Sequence, residues 1–272
     1  MMMDKNIRGE KALQSVLKNR LFGNELYAFD TIDSTNQFAK TLAVKGEPEG
    51  TLVYAETQTA GRGRWGRTWD STYGKGLWFS IVLRPTVKME QATLLTLLAA
   101  TSIAAGIEKI LGIGVCVKWP NDLFVQNKKV GGVLLETSQR QNQMPYVVMG
   151  VGLNVCQTKE DFSPDIQKSA SSLEMVSGLK IDRISLFADL LYQLEQDYQR
   201  SQREGFDFIL NEWTDRNSIL DADITFKISD RNIRGRVKGF QPNGDLLLIR
   251  PDGRQETYRS SDVCEVRHVD CH

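Results

Sequence analysis

Histidine is nearly absent from this sequence. The 272 residues include only two histidines, His268 and His272, and both lie within the last five positions. Ser-His-Asp and Cys-His mechanisms need an imidazole base beside the nucleophile, so the body of the chain is expected to use neither. Any chemistry in this protein should therefore depend on lysine, arginine, carboxylates or backbone groups.

Cysteine is also sparse, with four residues and no C-x-x-C pair. This spacing does not make a disulfide framework, and it fits a reducing compartment. Four potential zinc ligands lie near the carboxyl end, Cys264, His268, Cys271 and His272, so a structural zinc site is one interpretation. We favour a strand instead, because Cys264 lies in the alternating run SDVCEVR and terminal residues tend to fray.

Net charge is missing as well, since 34 lysines and arginines balance 34 acidic residues. A chain without net charge is not expected to bind nucleic acid through bulk electrostatics. The longest uncharged run, residues 91–107, is shorter than the ~20 apolar residues that span a bilayer and contains several polar residues, so it predicts a buried helix. The amino end has no apolar signal segment, which predicts a cytoplasmic protein without a membrane partner.

Hydrophobic periodicity predicts an α+β fold with a mixed, largely antiparallel sheet. Strands rich in β-branched and aromatic residues are predicted at 50–57, 77–84, 115–119 and 146–155, with a hairpin turn near Asn127 and Lys128. Besides the buried helix, helices are predicted at 184–198 and, roughly, 206–217.

The chain changes character near residue 222, where short strands alternate with Asn-Gly and Asp-Gly turns. We therefore predict a catalytic domain over residues 1–221, which begins with a short helical extension (1–22), and a small β-barrel over 222–272. The length is compatible with one large domain and one small one.

The segment GRGRWGRTW, residues 61–69, which we call the arginine loop, contains three arginines and no acid. Its glycines match G-x-G-x-x-G, but that fingerprint must open a helix after a strand, and here another strand follows. The remaining interpretation is a loop whose guanidinium and N–H groups suit a carboxylate or a phosphate. A solvated basic loop, or a short RNA-binding segment, is about equally compatible with these residues alone.

Three further motifs could contribute to such a site. In KWPND, Lys118 could hold a phosphate and Asp122 its Mg²⁺. Lys129 next to the paired glycines of KVGGVLLE could place a charge on an anion, and GVGLN offers open backbone next to Asn154. Taken singly, each motif is explained as well by a surface ion pair, a plain hairpin or a buried strand.

In their order and spacing, GRGRWGRTW, KWPND, KVGGVLLE and GVGLN, preceded by STN (34–36) and QTA (58–60), resemble the biotin protein ligases. The resemblance covers roughly residues 28 to 267. It implies a class II synthetase-like catalytic domain. It also implies a two-step activity, in which ATP activates biotin to biotinyl-5′-AMP and the biotinyl group then passes to a lysine of a biotin carboxyl carrier protein. That carrier would be an acetyl-CoA carboxylase subunit or belong to another biotin-dependent carboxylase.

The same resemblance implies roles for individual residues. Arg64, Lys129 and Asp122 would be catalytic, and Asp122 would also hold Mg²⁺. The residues expected to bind biotin are Ser34, Thr35, Asn36, Gln58, Gly61, Arg62, Gly63, Trp69, Lys129 and Gly132. The residues expected to bind ATP or the adenylate are Arg64, Arg67, Lys118, Asn121, Asn154 and Arg267. The loop over residues 60–70 should close over the adenylate to keep it from water.

Two further expectations concern partners. Many family members carry an amino-terminal winged-helix repressor domain, and the short segment before Phe22 cannot supply one, so no DNA binding is expected; the protein should be a monomer or a homodimer. The competing functions are a lipoate or octanoate ligase of the same fold and a small nucleic-acid-binding module that uses the arginine loop. Zero net charge and the absence of an aromatic platform disfavour the module.

Overall fold

The computed structural model describes residues 13–15, 17, 20–86, 92–138, 145–217 and 219–268. Seven strands form one sheet in the order β1-β2-β3-β7-β6-β5-β4. Their bounds are β1 Leu26–Ile32, β2 Leu52–Gln58, β3 Gly76–Leu83, β4 Cys116–Lys118, β5 Asp122–Val125, β6 Lys128–Ser138 and β7 Tyr146–Asn154. Only β1 and β2 are parallel, and every other neighbouring pair is antiparallel. The sheet is therefore mixed and largely antiparallel, as predicted.

Five α-helices accompany the strands in the described residues. Their bounds are α1 Thr35–Lys45, α2 Ala92–Leu111, α3 Leu173–Ser177, α4 Arg183–Glu204 and α5 Asp207–Arg216. Helix α1 supplies the crossover that a parallel pair of strands requires between β1 and β2. It ends at Gly46, whose φ of 88° lies in the left-handed region that glycine tolerates best. Helix α4 begins after Asp182, whose carboxylate accepts hydrogen bonds from the first free N–H groups.

Alternation along the central strands divides the core between the two faces of the sheet. In β2, Val53 and Ala55 pack in a cluster with residues of α1. Their neighbours Leu52 and Tyr54 pack in the larger cluster that includes α2 and α4. The large cluster accounts for the apolar run in α2: residues Thr93–Leu111 are long and apolar enough to cross a membrane, but most of this segment is buried in the protein core. The buried helix predicted at 91–107 is confirmed.

Five short strands form a second, antiparallel sheet in the order β11-β10-β9-β8-β12. Their bounds are β8 Asp223–Ile228, β9 Arg231–Phe240, β10 Leu246–Ile249, β11 Gln255–Tyr258 and β12 Cys264–His268. The rings of Phe226 in β8 and Tyr258 in β11 are 5.0 Å apart, so the sheet curls. Pairing between the described strands does not close the predicted barrel. The inner face of this sheet joins the large core cluster through residues such as Ile224 and Leu248.

The predicted strands and helices that fall within the described residues appear, with their ends displaced by a few residues. The hairpin turn falls at Gln126 and Asn127, both with positive φ, one residue before the predicted position. Cys264 begins a strand, as expected. Within the described part of the chain no group of three or more metal-binding side chains occurs; Cys271 and His272 lie outside it. Most of the predicted helical extension (1–22) also lies outside, although residues 13–15 are helical.

Candidate functional site

A cavity of about 250 Å³ lies on the α1 face of the large sheet. Its floor is formed by β6 and β7, and its walls are the start of α1, the arginine loop, the turn between β4 and β5, and β12. The lining residues include Ser34, Thr35, Asn36, Gln58, Arg62, Gly63, Arg64, Arg67, Trp69, Lys118, Asn121, Asp122, Lys129 and Gly132. Motifs far apart in the sequence thus meet in one cavity.

Glycines in the floor make room for side chains that cross it. In β7, Gly150 pairs with Leu134 and Gly152 pairs with Gly132. A Cβ atom on Gly150 would lie 2.0 Å from Oδ1 of Asn36, and one on Gly152 would lie 2.6 Å from the ring of Trp69. Glycine is required at both positions because another side chain already occupies the space.

The neutral end of the cavity, formed by Ser34, Thr35, Asn36 and Gln58, contains no charged group. Gln58 lies at the end of β2, and its Oε1 accepts hydrogen bonds from the backbone N and Oγ1 of Thr35, at 2.9 and 3.1 Å. Ser80 in β3 donates to Thr35 Oγ1 at 2.8 Å or to Asn36 Oδ1 at 2.5 Å. Hydrogen bonds between β2, β3 and the first turn of α1 therefore fix the positions of these polar groups.

Asn36 is held by the protein on both sides of its amide. Its Nδ2 donates to Glu136 Oε2 at 3.0 Å, and Glu136 is in turn paired with Lys40. Its Oδ1 accepts from Ser80. These contacts make Asn36 a positioning residue at the cavity wall. Ser80 and Glu136 belong to the same network, although sequence patterns alone did not identify them.

Two buried polar atoms in the cavity residues have no hydrogen-bond partner in the described part of the chain, Ser34 Oγ and Trp69 Nε1. Leaving a buried donor or acceptor unpaired costs about 1–3 kcal/mol. Both residues line the cavity, so a bound ligand with a polar head can supply the missing partners. Ser34 Oγ and Trp69 Nε1 are therefore candidate hydrogen-bonding groups for a ligand.

The arginine loop has defined local structure. A backbone bridge joins Arg62 to Thr68, and the Gly63 N–H donates to the Arg67 carbonyl at 2.7 Å. Between them, residues 64–66 form one 3₁₀ turn in which Trp65 has a φ of 59°. Gly61 begins the loop against the carbonyl of Trp69, where a Cβ atom would lie only 2.5 Å from that oxygen.

Arg64 joins the loop to both sheets. Its Nη1 donates to Oδ1 of Asn121 at 3.1 Å. Its Nη2 donates to the carbonyl of Val263 at 3.3 Å and to that of Ser260. The neighbouring Trp65 donates from Nε1 to the Val263 carbonyl at 3.1 Å. Burial lowers the pKa of the Arg64 guanidinium, while Asp122 opposes the shift.

The cationic end of the cavity consists of Arg64, Lys118 and Lys129 around the single carboxylate of Asp122. Lys129 Nζ lies 2.7 Å from Asp122 Oδ1 and 5.3 Å from the centre of the Trp69 ring. The pKa of Lys118 is lowered, mainly because burial disfavours its charged form. The nearby positive charges of Lys129 and Arg267 lower this pKa further, and the carboxylate of Asp122 partly opposes the shift. Three partly desolvated cations with one acid between them form a strong anion site.

Asp122 is held by other residues of the cationic end. Its Oδ1 accepts from Lys129 and, at 3.2 Å, from Nδ2 of Asn121. These contacts support a role for Asp122 in orienting Lys129. Magnesium bound to phosphates takes only one or two carboxylates, so a role of Asp122 in holding Mg²⁺ stays a prediction.

Three predicted site residues do not line the cavity. Gly61 pairs with Trp69 at the base of the loop, where its carbonyl accepts from the Trp69 N–H at 3.0 Å. Asn154 is buried, donates to the Ser171 carbonyl at 3.0 Å and accepts from Gln157 at 3.1 Å, so its amide holds the chain after β7. Arg267 lies in β12, where it contributes to the electrostatics around Lys118.

Several lining residues belong to the motifs singled out in the sequence but were given no individual role there: Trp65, Thr68, Trp119, Pro120, Val133, Leu134, Gly150, Val151 and Gly152. Val263, Cys264 and Val266 also line the cavity, and the sequence indicated only a strand at those positions. Strand alternation could have identified Leu134, which lies two positions beyond Gly132 on the same face of β6. No local signal places β12 beside the arginine loop, because that contact spans nearly two hundred residues of sequence.

Comparison with known proteins agrees with this geometry. Residues 28–154 match the biotin/lipoate A/B protein ligase family. The chain is 35% identical over 254 residues to the bifunctional ligase/repressor BirA of Bacillus subtilis, covering 93% of this chain and 78% of that protein. It is 31% identical over 225 residues to the biotin–[acetyl-CoA-carboxylase] ligase of Mycobacterium tuberculosis, covering 80% and 76%. The biotin protein ligase from Aquifex aeolicus in complex with biotin and ATP superposes with a TM-score of 0.77 at 27% identity, covering 90% and 100%.

Proposed function

The chain belongs to the biotin/lipoate A/B protein ligase family as a biotin protein ligase, and from that premise we propose its reaction and the role of each end of the cavity. ATP and biotin are its substrates, and biotinyl-5′-AMP and pyrophosphate are the products of the first step. In the second step the biotinyl group passes to a lysine of a biotin carboxyl carrier protein, an acetyl-CoA carboxylase subunit or a subunit of another biotin-dependent carboxylase.

One observation carries this proposal: a single cavity joins a neutral hydrogen-bonding end to a cationic end. Biotin has a neutral ureido ring, an apolar chain and a terminal carboxylate. The unpartnered Ser34 Oγ and the fixed Thr35 and Gln58 suit the ring. Trp69 and Gly132 also line the cavity and would contact the apolar chain of biotin. The carboxylate would then reach the cations beyond Trp69.

In the first step, a carboxylate oxygen of biotin attacks the α-phosphorus of ATP. Arg64 and Lys129 would bring these two anions together and offset the negative charge that develops between them. Asp122 keeps Lys129 in place through the ion pair at 2.7 Å. Neither step needs a histidine, because the substrate carboxylate is itself the nucleophile. Mg²⁺ would enter as part of the magnesium–ATP substrate.

The second step needs the adenylate to be kept from water until the carrier lysine arrives. Arg64 and Trp65 bind the carbonyls of Ser260 and Val263 and thereby hold the arginine loop over the cavity. Closure of residues 60–70 over the adenylate remains a prediction. Location in the cytoplasm, no binding to DNA or membrane, and a monomeric or dimeric state are also proposals.

ATP–pyrophosphate exchange, measured separately with biotin, lipoate and octanoate, tests the substrate. We expect exchange with biotin and none above background with the other two acids. Exchange that depended on lipoate or octanoate alone would assign the chain to the lipoate or octanoate ligases. A nucleic-acid-binding module would give no exchange with any acid.

A further inference from the structure

A second cavity, of about 370 Å³, lies next to the first. Leu135 and Thr137 of β6 line it, whereas Gly132 and Leu134 line the first cavity. Since alternate residues of a strand point to opposite faces, the two cavities lie on opposite faces of the large sheet. The remaining walls come from the first turns of α2 and from two connections of the second sheet, between β9 and β10 and between β11 and β12.

The two cavities share three wall residues, Arg64, Pro120 and Val133. Arg64 marks the boundary, because one branch of its guanidinium binds Asn121 and the other binds the Ser260 carbonyl. A phosphate chain bound at Arg64 therefore has space on both sides of that residue.

The second cavity contains groups of both charges that the protein itself does not pair. Arg259 is exposed, and its guanidinium makes no hydrogen bond or ion pair with any residue in the described ranges. Asp245 is buried, and its Oδ2 accepts from Asn243 Nδ2 at 2.9 Å, with no cation paired to it among the described residues. Hydroxyl groups of Thr93, Thr96 and Thr137 complete the polar lining.

We propose that the second cavity receives the magnesium pyrophosphate released when biotin is adenylated, an inference that rests on the proposed function. The carboxylate oxygen of biotin forms a bond to the α-phosphorus, and the bond from that phosphorus to the oxygen bridging to the β-phosphorus breaks. Its electron pair leaves with pyrophosphate, and no proton is transferred.

The chemistry of this product matches the lining. Arg64, Arg259 and the threonine hydroxyls suit the phosphate oxygens. Magnesium bound to phosphates takes one or two carboxylates at most, and Asp245 supplies one. Entry and departure on opposite sides of the phosphorus also agree with in-line displacement. Biotin would approach from the neutral end of the first cavity, and the leaving group would depart past Arg64.

The test uses Arg259→Gln in the full-length protein, with Arg254→Gln as the matched control. Arg254 lies in the turn between β10 and β11 and carries the same charge, but it is paired with Asp252 and outside both cavities. Exchange is measured with biotin and ATP saturating while magnesium pyrophosphate is varied. Binding of magnesium pyrophosphate to the protein alone is measured by calorimetry.

We expect Arg259→Gln to weaken magnesium pyrophosphate about 5- to 20-fold in both measurements, as loss of one charge-assisted contact predicts. Arg254→Gln and the KM for biotin should be unchanged. Asp245→Asn should raise the magnesium concentration needed for half-maximal exchange. The inference would be overturned if Arg259→Gln catalysed biotin-dependent exchange with an unchanged affinity for magnesium pyrophosphate. It would also be overturned if Arg259→Gln and Arg254→Gln weakened that affinity equally. Absence of exchange with biotin in the parent protein would instead overturn the proposed function.

Discussion

The two ends of the first cavity are built in different ways. The neutral end lies within one layer of the fold, where β2, β3 and the start of α1 bond Thr35, Gln58 and Ser80 to one another. The cationic end joins two sheets, since Arg64 reaches the carbonyls of Ser260 and Val263 beyond the large sheet. At the neutral end most polar atoms form hydrogen bonds with other residues of the protein. At the cationic end three positively charged side chains lie close together.

This difference predicts which kinetic step each end controls. Prearranged hydrogen bonds favour binding a neutral head group in one orientation. Partly buried cations interact most strongly with charge that grows during the reaction, because they are screened least by water. Substitutions that disturb the neutral end should therefore raise KM for biotin, and substitutions at the cationic end should lower the rate of adenylation.

The largest effect should come from Lys129→Ala. Removing this ammonium leaves the Asp122 carboxylate unpaired beside an anionic phosphate, so we expect the adenylation rate to fall by about 10²- to 10³-fold. Biotin affinity should change far less. Single-turnover formation of the adenylate and equilibrium biotin binding separate the two effects. Lys128→Ala is the control, since that lysine binds the Lys168 carbonyl at the surface. A loss confined to biotin affinity would contradict this assignment.

The second prediction is that Gly150→Ala disturbs the hydrogen bonds of the neutral end. The added methyl group would lie 2.0 Å from Asn36 Oδ1 and displace the Asn36 amide. We expect KM for biotin to rise about 10- to 100-fold, the equivalent of one or two misplaced buried hydrogen bonds. Gly114→Ala is the control, because a methyl group there meets no atom within 4 Å. The unfolding midpoint of the variant shows whether it is folded. In a folded variant, a lower adenylation rate at saturating biotin with an unchanged KM for biotin would contradict the proposed difference between the two ends.

The smallest effect concerns pH. Burial lowers the pKa of Lys118 below its ordinary value of 10.5 by disfavouring the charged form. As pH rises, Lys118 loses its proton earlier than an exposed lysine would, and kcat/KM for ATP should decline on the alkaline side below that value. In Lys118→Arg the guanidinium stays protonated, because its pKa lies well above that of a lysine ammonium, so the alkaline decline should move to higher pH. An unmoved pH profile would show that another group controls it.

Some features of the fold could be predicted from local patterns. Alternation and β-branched residues predicted β2, β3 and β7, and three- and four-residue spacing predicted α4. The pair β1 and α1 was not predicted, although it positions Ser34 and Thr35 at the neutral end. Neither element has a long apolar pattern, and α1 packs only part of its surface against the sheet.

The candidate site shows the same division. Residue types in the arginine loop and KWPND indicated a site for a carboxylate or phosphate, and the family resemblance added biotin. The structure changed the interpretation of particular residues within it. Asn36 and Asn121 make hydrogen bonds to other residues of the protein, Asn154 lies outside the cavity and bonds to the Ser171 carbonyl, and Asp122 forms an ion pair with Lys129.

By itself, the sequence determined the chemistry available to this protein: arginines, lysines, glycines and amides, with almost no histidine. Local patterns also determined most of the strands and helices, because side-chain periodicity acts over a few residues. Only the tertiary structure decided which of these groups meet. Arg64 binds Ser260 because two sheets share one core, and the two cavities separate because alternate residues of β6 face opposite sides. Such contacts join residues far apart in the chain, and no local pattern encodes them.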